Sequence, residues 1–252
     1  MGDNFQQLVE LLKASQRLLI FTGAGISTAS GIPDFRGPGG VWTRRRPILW
    51  QEFLSSHEAR VAHWEYKLEA WDAFRHAQPN AAHHAVVQLE HAGKVLLVVT
   101  QNIDGLHQAA GTDPAHLVEL HGTNRWIECV CCGKRSEPEP HYEWFRRTRQ
   151  PPRCSCGGWL KPATISFGQD LRSEDLGRAW AAAKTCDAVV ALGSSLSVYP
   201  AAEIPLLAAR RGVPYAVVNR GPTEHDNLPE LTVRVEGDVS VIFPAAVRAA
   251  LA

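Results

Sequence analysis

The sequence predicts an α/β protein, a doubly wound parallel sheet carrying a smaller inserted lobe. Short apolar runs recur along the chain, and each ends in Gly, Gln, Asn, His or Ser. Helix-length patterns separate those runs, the alternation expected of a parallel sheet with right-handed crossovers. Two segments break the alternation, and one of them holds five of the six cysteines.

The elements follow in order. MGDNFQQLVELLKAS reads as an amphipathic helix with Phe5, Leu8, Val9, Leu11 and Leu12 on its apolar face, and not as an export signal. Leu18-Leu19-Ile20-Phe21 then has the character of a strand buried on both faces. Thr22 gives way to Gly23-Ala24-Gly25, where missing side chains let backbone approach a ligand closely. Ile26 to Ser30 is expected to start a helix, whose free N–H groups and dipole favour a phosphate. This is half of a dinucleotide fingerprint. The third glycine of G-x-G-x-x-G falls on Thr28, and no strand ending in an acid follows at about 20 residues. The chain runs instead through Gly31 and Pro33 into Asp34-Phe35-Arg36, an acid, an aromatic and a base. The fold is thus Rossmann-like without a dehydrogenase site. A phosphate-rich ligand is expected, with charged residues beside it.

Four further runs repeat the buried-strand signature. Lys94 to Thr100 ends at Gln101-Asn102, and His116 to Leu120 ends at His121-Gly122. Cys186 to Leu192 ends at Gly193-Ser194-Ser195, and Pro214 to Val218 ends at Asn219. A weaker run, Leu231 to Val235, leads into Glu236-Gly237-Asp238. Helical patterns cover Asn80 to Ala92, Arg172 to Lys184, Ala201 to Arg211 and Val239 to Leu251. In such sheets the ligand sits at the carboxyl ends of the strands. Here those ends bring Gly23, Gln101, Asn102, His121, Ser194 and Asn219 to one edge.

The two insertions differ in character. Residues 37–79 carry Trp42, Trp50, Trp64 and Trp71 together with Arg44, Arg45 and Arg46, and read as irregular chain followed by a helical hairpin packed by its aromatics. Residues 124–161 carry two cysteine knuckles, Cys129-Val130-Cys131-Cys132-Gly133 and Cys154-Ser155-Cys156-Gly157. Two knuckles, each followed by glycine, suit a tetrahedral structural zinc of the ribbon type, with Cys129, Cys132, Cys154 and Cys156 as ligands and Cys131 spare. Four thiolates leave no open position, so the metal holds the lobe and takes no part in catalysis. Cys186 lies in a strand run and reads as a core thiol. The expected partition is a large part of residues 1–36, 80–123 and 162–252, and a small lobe of 37–79 (helical) and 124–161 (zinc ribbon), together one catalytic domain.

Composition sets the outer limits. With 26 basic and 26 acidic residues the formal charge is zero, which argues against a general nucleic-acid or membrane-surface binder. No apolar run approaches the roughly 18 residues of a membrane span. Cysteines without an export signal point to metal or redox chemistry in a reducing compartment, and the cytoplasm is the default. A single-domain monomer is expected.

Taken together the blocks resemble the sirtuins, the NAD-dependent protein lysine deacylases, over nearly the whole chain from about Leu11 to Val241. They are Gly23-Ala24-Gly25-Ile26-Ser27, Gly31-Ile32-Pro33-Asp34-Phe35-Arg36, Thr100-Gln101-Asn102-Ile103-Asp104, His121-Gly122, the two knuckles, Phe167-Gly168, Gly193-Ser194-Ser195-Leu196 and Val218-Asn219, in that order. The resemblance implies that Ala24, Gly25, Ser27, Ser194 and Ser195 hold the pyrophosphate, with Gly23 and Gly193 beside them. Ile32, Asp34, Phe35 and Arg36 would belong to a cofactor loop. Asn102, Ile103 and Asp104 would line the nicotinamide pocket, where an amide and a carboxylate can pair with a carboxamide. Gln101 would contact the nicotinamide ribose and Asn219 the adenosine ribose, with Asp238 a further cofactor-binding residue. His121 would be the general base, a role suited to a histidine neutral near pH 7. Among eleven histidines its residue type alone indicates only a structural role, and the block Glu119-Leu120-His121-Gly122 makes the difference. His83, His84, His91, His107 and His116 have no such support.

The implied reaction consumes NAD as a co-substrate. Nicotinamide leaves, and the acyl-lysine carbonyl oxygen captures the ribose carbon as an imidate. His121 then deprotonates a ribose hydroxyl, and water releases lysine and O-acyl-ADP-ribose. Ser166, Phe167 and Gly168 on one side, and Ser197 with Val198 on the other, would pair with the acylated peptide as strands. Sirtuins that remove succinyl or malonyl groups carry a Tyr-x-x-Arg pair before the Pro-Asn-x-x-His block. Alignment on Pro79-Asn80-Ala81-Ala82-His83 puts Trp64 and Lys67 there, so a neutral acyl group, acetyl first, is expected. The chain departs from the family at Ser194, where threonine is usual, at Gln169, where an acid often follows Phe-Gly, and in its C-x-C knuckle. Two alternatives share the pocket: mono-ADP-ribosyl transfer to a protein, and an NAD- or ADP-ribose-binding regulator with weak catalysis.

Overall fold

The computed structural model describes residues 2–34 and 46–252. Phe35, Arg36, Trp42, Arg44 and Arg45, singled out above, lie outside the described residues. Helix α1 (Asp3–Ala14) buries Leu8, Val9, Leu11 and Leu12, the expected apolar face. Strand β1 (Leu18–Thr22) is buried throughout. Beyond it the structure corrects the sequence. Ala24–Ile26 and Thr28–Ser30 are two single 3-10 turns closed by Gly31 at φ 83°, where the start of a longer helix is expected. Polar side chains compete for the backbone here. Thr28 Oγ1 donates to the Gly25 carbonyl at 3.1 Å, and the Gly25 N–H is drawn across to the Gly193 carbonyl at 2.8 Å.

Helices α2 (Trp50–Ser55) and α3 (His57–His76) meet at Ser56, whose hydroxyl accepts from the Ala59 N–H and caps α3. Asn80 caps α4 (Ala81–His91), and its amide also ties the Ile26 carbonyl and Ser30 hydroxyl at 2.8 and 2.9 Å. Strand β2 (Val95–Thr100), helix α5 (Leu106–Ala110) and strand β3 (Leu117–Glu119) complete the first half. The cysteine insertion contains β4 (Gly122–Cys129), β5 (Arg135–Ser136), α6 (Glu139–Thr148) and β6 (Leu160–Thr164). Cysteine spacing alone does not predict α6. The chain returns through α7 (Ser173–Thr185), β7 (Ala188–Leu192), α8 (Glu203–Ala209), β8 (Tyr215–Asn219), β9 (Val233–Glu236) and α9 (Val239–Leu251). Cys186 is buried as expected, but it caps α7 instead of entering β7.

The large sheet has strand order β3-β2-β1-β7-β8-β9 and is parallel throughout. The chain winds outward from β1 to β3, then returns to the other side of β1 and winds outward to β9. The order therefore reverses between β1 and β7, which is where such sheets open a crevice. Alternation along the strands gives two cores. Leu18, Ile20, Val98, Val190 and Val218 pack against Leu8, Leu12, Phe243 and Val247 on one face. Leu19, Phe21, Val99, Val189 and Val217 pack against Ala182, Ala183 and Ile204 on the other.

The small lobe has its own antiparallel sheet, ordered β5-β4-β6, and its own core. Trp64 and Trp71 of α3 pack on Ile127, Tyr142, Phe145 and Leu160. Trp64 meets Tyr142 edge-on at 5.4 Å and donates from Nε1 to the Leu160 carbonyl at 3.1 Å, while Trp71 stacks on Tyr142 at 4.4 Å. The tryptophan-rich and cysteine-rich insertions thus share one core. Trp64 is fully buried, so Trp64→Ala is expected to cost about 3–5 kcal/mol. A denaturant midpoint close to that of the parent protein would contradict this.

Candidate active site and metal centre

A cleft of about 1240 Å³ opens at the carboxyl ends of β1, β2, β7 and β8 and extends to α3 and β6 of the small lobe. Its floor is the switch point. The Gly23 N–H donates to the Leu192 carbonyl at 3.0 Å and the Gly25 N–H to the Gly193 carbonyl at 2.8 Å. A Cβ on Gly25 would come within 2.8 Å of Gly193 Cα, and one on Gly193, at φ 63°, within 2.3 Å of the Ile26 nitrogen. These glycines are there because two backbones touch. Beside them Ser194 Oγ accepts from Gln101 Nε2 at 2.8 Å and from the Leu196 N–H at 3.1 Å, while Ser195 and Ser197 share a hydroxyl contact of 2.8 Å.

At the next strand end, the Asn102 backbone N–H donates to Thr100 Oγ1 at 3.0 Å. Its amide donates to the Gly23 carbonyl at 3.1 Å and to Ser27 Oγ at 3.0 Å, and Ser27 in turn donates to Asp104 Oδ2 at 2.7 Å. The other Asp104 oxygen accepts from the Leu106 N–H at 2.9 Å. Burial pushes the Asp104 carboxyl above its ordinary range, against these hydrogen bonds. Asn102 and Ile103 line the cleft, whereas Ser27, Asp104 and the buried Ile32 stand behind its wall.

His121 follows β3 on the cleft wall. Its Nδ1 lies 3.0 Å from the Gln101 carbonyl. A carbonyl can only accept, so the hydrogen sits on Nδ1 and Nε2 is the basic nitrogen. Ser166, Phe167, Gly168, Val198 and Asp34 border the same space, with Asn219 and Asp238 at the ends of β8 and β9. The Phe167 carbonyl accepts from the Trp50 N–H at 2.8 Å, and Gln169 Oε1 accepts from the Ser166 N–H at 3.1 Å, so this segment is held before any ligand arrives. Ser197 reaches the site only through Ser195.

Three features are not evident from sequence. Trp64 points into the lobe core, so the position aligned with the tyrosine of the Tyr-x-x-Arg pair offers the cleft no side chain. Lys67 does line the cleft, buried, with Asn124 Oδ1 and Thr164 Oγ1 each 3.4 Å from Nζ. Burial, with the nearby Lys161 cation, brings it down to about 7, and burial brings Lys161 itself down to about 8. Behind the floor, Thr22 Oγ1 links His107 Nε2 at 3.1 Å to Thr100 Oγ1 at 2.8 Å, and burial brings His107 down to about 3, so it is a neutral prop for the Asn102 turn. Only the Asp-Gly-Leu-His run near the strand end hints at it.

The ligand atoms of Cys129, Cys132, Cys154 and Cys156 all lie within 4.8 Å of one another. Two of the separations are 3.5 Å (Cys129–Cys156) and 3.8 Å (Cys132–Cys154). Tetrahedral zinc with bonds near 2.3 Å needs sulfurs about 3.8 Å apart. The residues fit a structural zinc, C-x-C knuckle included, and Cys131 is exposed outside the cluster.

With this geometry in hand, comparison with known proteins is specific. The Sir2 family model matches residues 23–200. The NAD-dependent protein deacetylase of Rhodopseudomonas palustris is 43% identical over 235 residues, 93% of each chain. The NAD-dependent protein deacylase 2 of Archaeoglobus fulgidus is 39% identical over 98% of this chain and 96% of its own. Among solved structures, a Sir2 protein with a p53 peptide and NAD+ superposes with a TM-score of 0.87 at 34% identity, covering 98% of both chains. A Sir2 variant with a deacetylated p53 peptide and 3'-O-acetyl ADP-ribose gives 0.88 at 35% identity, covering 96% of both. The chain belongs to the Sir2 family.

Two measurements check this centre. Cys129→Ser and Cys154→Ser should each lose zinc by elemental analysis and melt earlier, because binding a structural metal contributes directly to folding; a stable zinc-free variant would refute the site. Lys67 is ordinarily protonated up to about pH 10.5 but here only up to about 7. The unfolded chain then binds more protons between those values, so stability rises with pH in that window. Lys67→Met should raise the melting temperature at pH 7 and flatten that rise, leaving the smaller part due to Lys161.

Proposed function

We propose that this chain is an NAD-dependent protein lysine deacetylase that releases nicotinamide and O-acetyl-ADP-ribose. The observation that carries the reading is His121. Its tautomer is set by the Gln101 carbonyl, and it stands where the strand-end cleft joins the Phe167 segment. A base at that junction serves a reaction between two substrates that enter from opposite sides. The names of the Sir2 relatives and the ligands of the solved Sir2 structures support the same assignment.

The polar set along the cleft fits the co-substrate from end to end. Gly23, Ala24, Gly25, Ser194 and Ser195 offer backbone and hydroxyl groups to a pyrophosphate. Gln101 reaches the nicotinamide ribose, and Asn102 with Ile103 faces the carboxamide, Asn102 being held by Ser27 and Asp104. Asn219 and Asp238 take the adenosine ribose end. When bound, NAD supplies a ribose carbon made electrophilic by departure of nicotinamide. His121 Nε2 removes a proton from a ribose hydroxyl, and the Gln101 carbonyl steadies the resulting imidazolium through Nδ1. Main-chain groups of Ser166 to Gly168 and of Ser197 to Val198 bind the peptide flanking the acetyl-lysine, which leaves its sequence loosely specified. Four cysteines kept as metal thiolates suit a reducing cytoplasm, and we read the protein as a monomer there.

The test is mass spectrometry of the protein with NAD and matched peptides, acetylated and plain. Free lysine peptide and O-acetyl-ADP-ribose should form only from the acetylated peptide. His121→Ala should lower turnover by about 10²–10⁴-fold, the usual contribution of a general base, with NAD binding by calorimetry retained. ADP-ribose attached to protein with the acetyl group untouched would replace this reading with protein ADP-ribosylation.

A further inference from the structure

At the far end of the cleft the turn Asn219–Gly221 follows β8, and Asn219, Arg220 and Asp238 line the cleft there. Asn219 lines the cleft, yet both N–H groups of its amide turn inward, to the carbonyls of Arg220 at 3.1 Å and Gly221 at 3.0 Å. What remains is Oδ1, an acceptor. The turn is held from behind by Arg234 of β9. Its Nε donates to Asp226 Oδ1 at 2.8 Å, Nη1 to the carbonyls of Asn219 at 3.1 Å and Val235 at 2.8 Å, and Nη2 to the Gly221 carbonyl at 2.6 Å and Glu236 Oε2 at 2.8 Å. A guanidinium has five N–H donors, and five acceptors meet them here. Arg220, the other cation at this end, pairs with Asp238 at 2.8 Å, and Glu236 also accepts from the Gly221 N–H at 2.7 Å. Two guanidinium groups thus face three carboxylates, Asp226, Glu236 and Asp238.

An acceptor in a net acidic surround welcomes a hydroxyl, which can donate, and repels a phosphate, which cannot. We propose that Arg234 is a positioning residue that, by fixing Asn219 with its oxygen outward, selects NAD over its 2'-phosphorylated form. This rests on the functional reading above, in which the adenosine ribose lies against Asn219. The usual device for this choice is an acid about 20 residues after the glycine turn, which this chain lacks. Selection is built instead from the last two strands of the sheet. Lysine cannot reproduce the fork, since an ammonium has three donors and no plane.

The test compares the parent protein with Arg234→Lys and Asp226→Asn, the second keeping the arginine while weakening its anchor. Each is assayed with NAD and NADP on an acetylated peptide. Each is also titrated by calorimetry with ADP-ribose and with 2'-phospho-ADP-ribose. The parent should favour NAD and ADP-ribose strongly. Arg234→Lys should raise KM for NAD about tenfold, the loss expected for one or two charge-assisted hydrogen bonds, leave kcat within about twofold, and narrow the NAD-to-NADP ratio in turnover and in binding. Asp226→Asn should move the same quantities less far, and it carries the test if the lysine variant does not fold. Equal use of the two cofactors by the parent protein, or unchanged KM and selectivity in both variants, overturns the proposal. Absence of NAD-dependent deacetylation in the parent protein would instead overturn the functional reading.

Discussion

A backbone contact between the ends of two neighbouring strands is the constraint on which the site depends. Gly25 and Gly193 approach so closely that neither tolerates a Cβ, and the N–H-to-carbonyl bond between them closes the seam where the sheet reverses direction. Because that seam is tight, the turn after β1 cannot continue as a helix. Its side chains reach sideways instead, Ser27 to Asn102 and Asp104, and the amide of Asn102 back to Gly23. A shallow phosphate cradle and a polar pocket next to it are thus two outcomes of one packing demand. In an ordinary dinucleotide site the same glycines lead into a long helix. Here they lead into two single 3-10 turns.

The polar interior follows a division of labour that burial energetics require. Buried groups near the chemistry are neutral or tied to acceptors, as the His107–Thr22–Thr100 relay shows. Lys67 and Lys161 also meet acceptors, on Asn124, Pro162 and Thr164, but no described carboxylate is in ion-pair contact with them and burial pushes both amines down.

Much of the fold was legible because strands buried on both faces leave continuous apolar runs. Leu18 to Phe21, Val95 to Val99 and Ala188 to Leu192 can hardly be read otherwise. The ends of those runs carry the polar residues of the site, so Gln101, Asn102, His121 and Asn219 stand out from their position in the sequence. Other features depend on distances the sequence does not encode. Thr28 and Gly31 are only weak local signs that Ile26 to Ser30 stops after one turn, and the other cause, Gly193, lies far along the chain. The orientation of Trp64 depends on Tyr142 and Leu160 of the other insertion, so an alignment by position misplaces it. Arg234 sits in the weakest strand run, flanked by buried Val233 and Val235, and its pattern predicts only that it faces away from the core. Its five partners come from the tertiary fold.

Strand β6 follows the cysteine knuckles from Leu160 and ends at Thr164, two residues before Ser166. The cysteine cluster and the segment proposed to bind the peptide therefore share one short, continuous piece of chain, whereas the groups proposed to hold the cofactor lie on the separately packed large sheet. Stripping the metal should then act first on the grip on the protein substrate and only later on the affinity for NAD. The two halves of a bisubstrate site would in this way be tied to different sources of stability, one to thiolate chemistry and the other to hydrophobic packing.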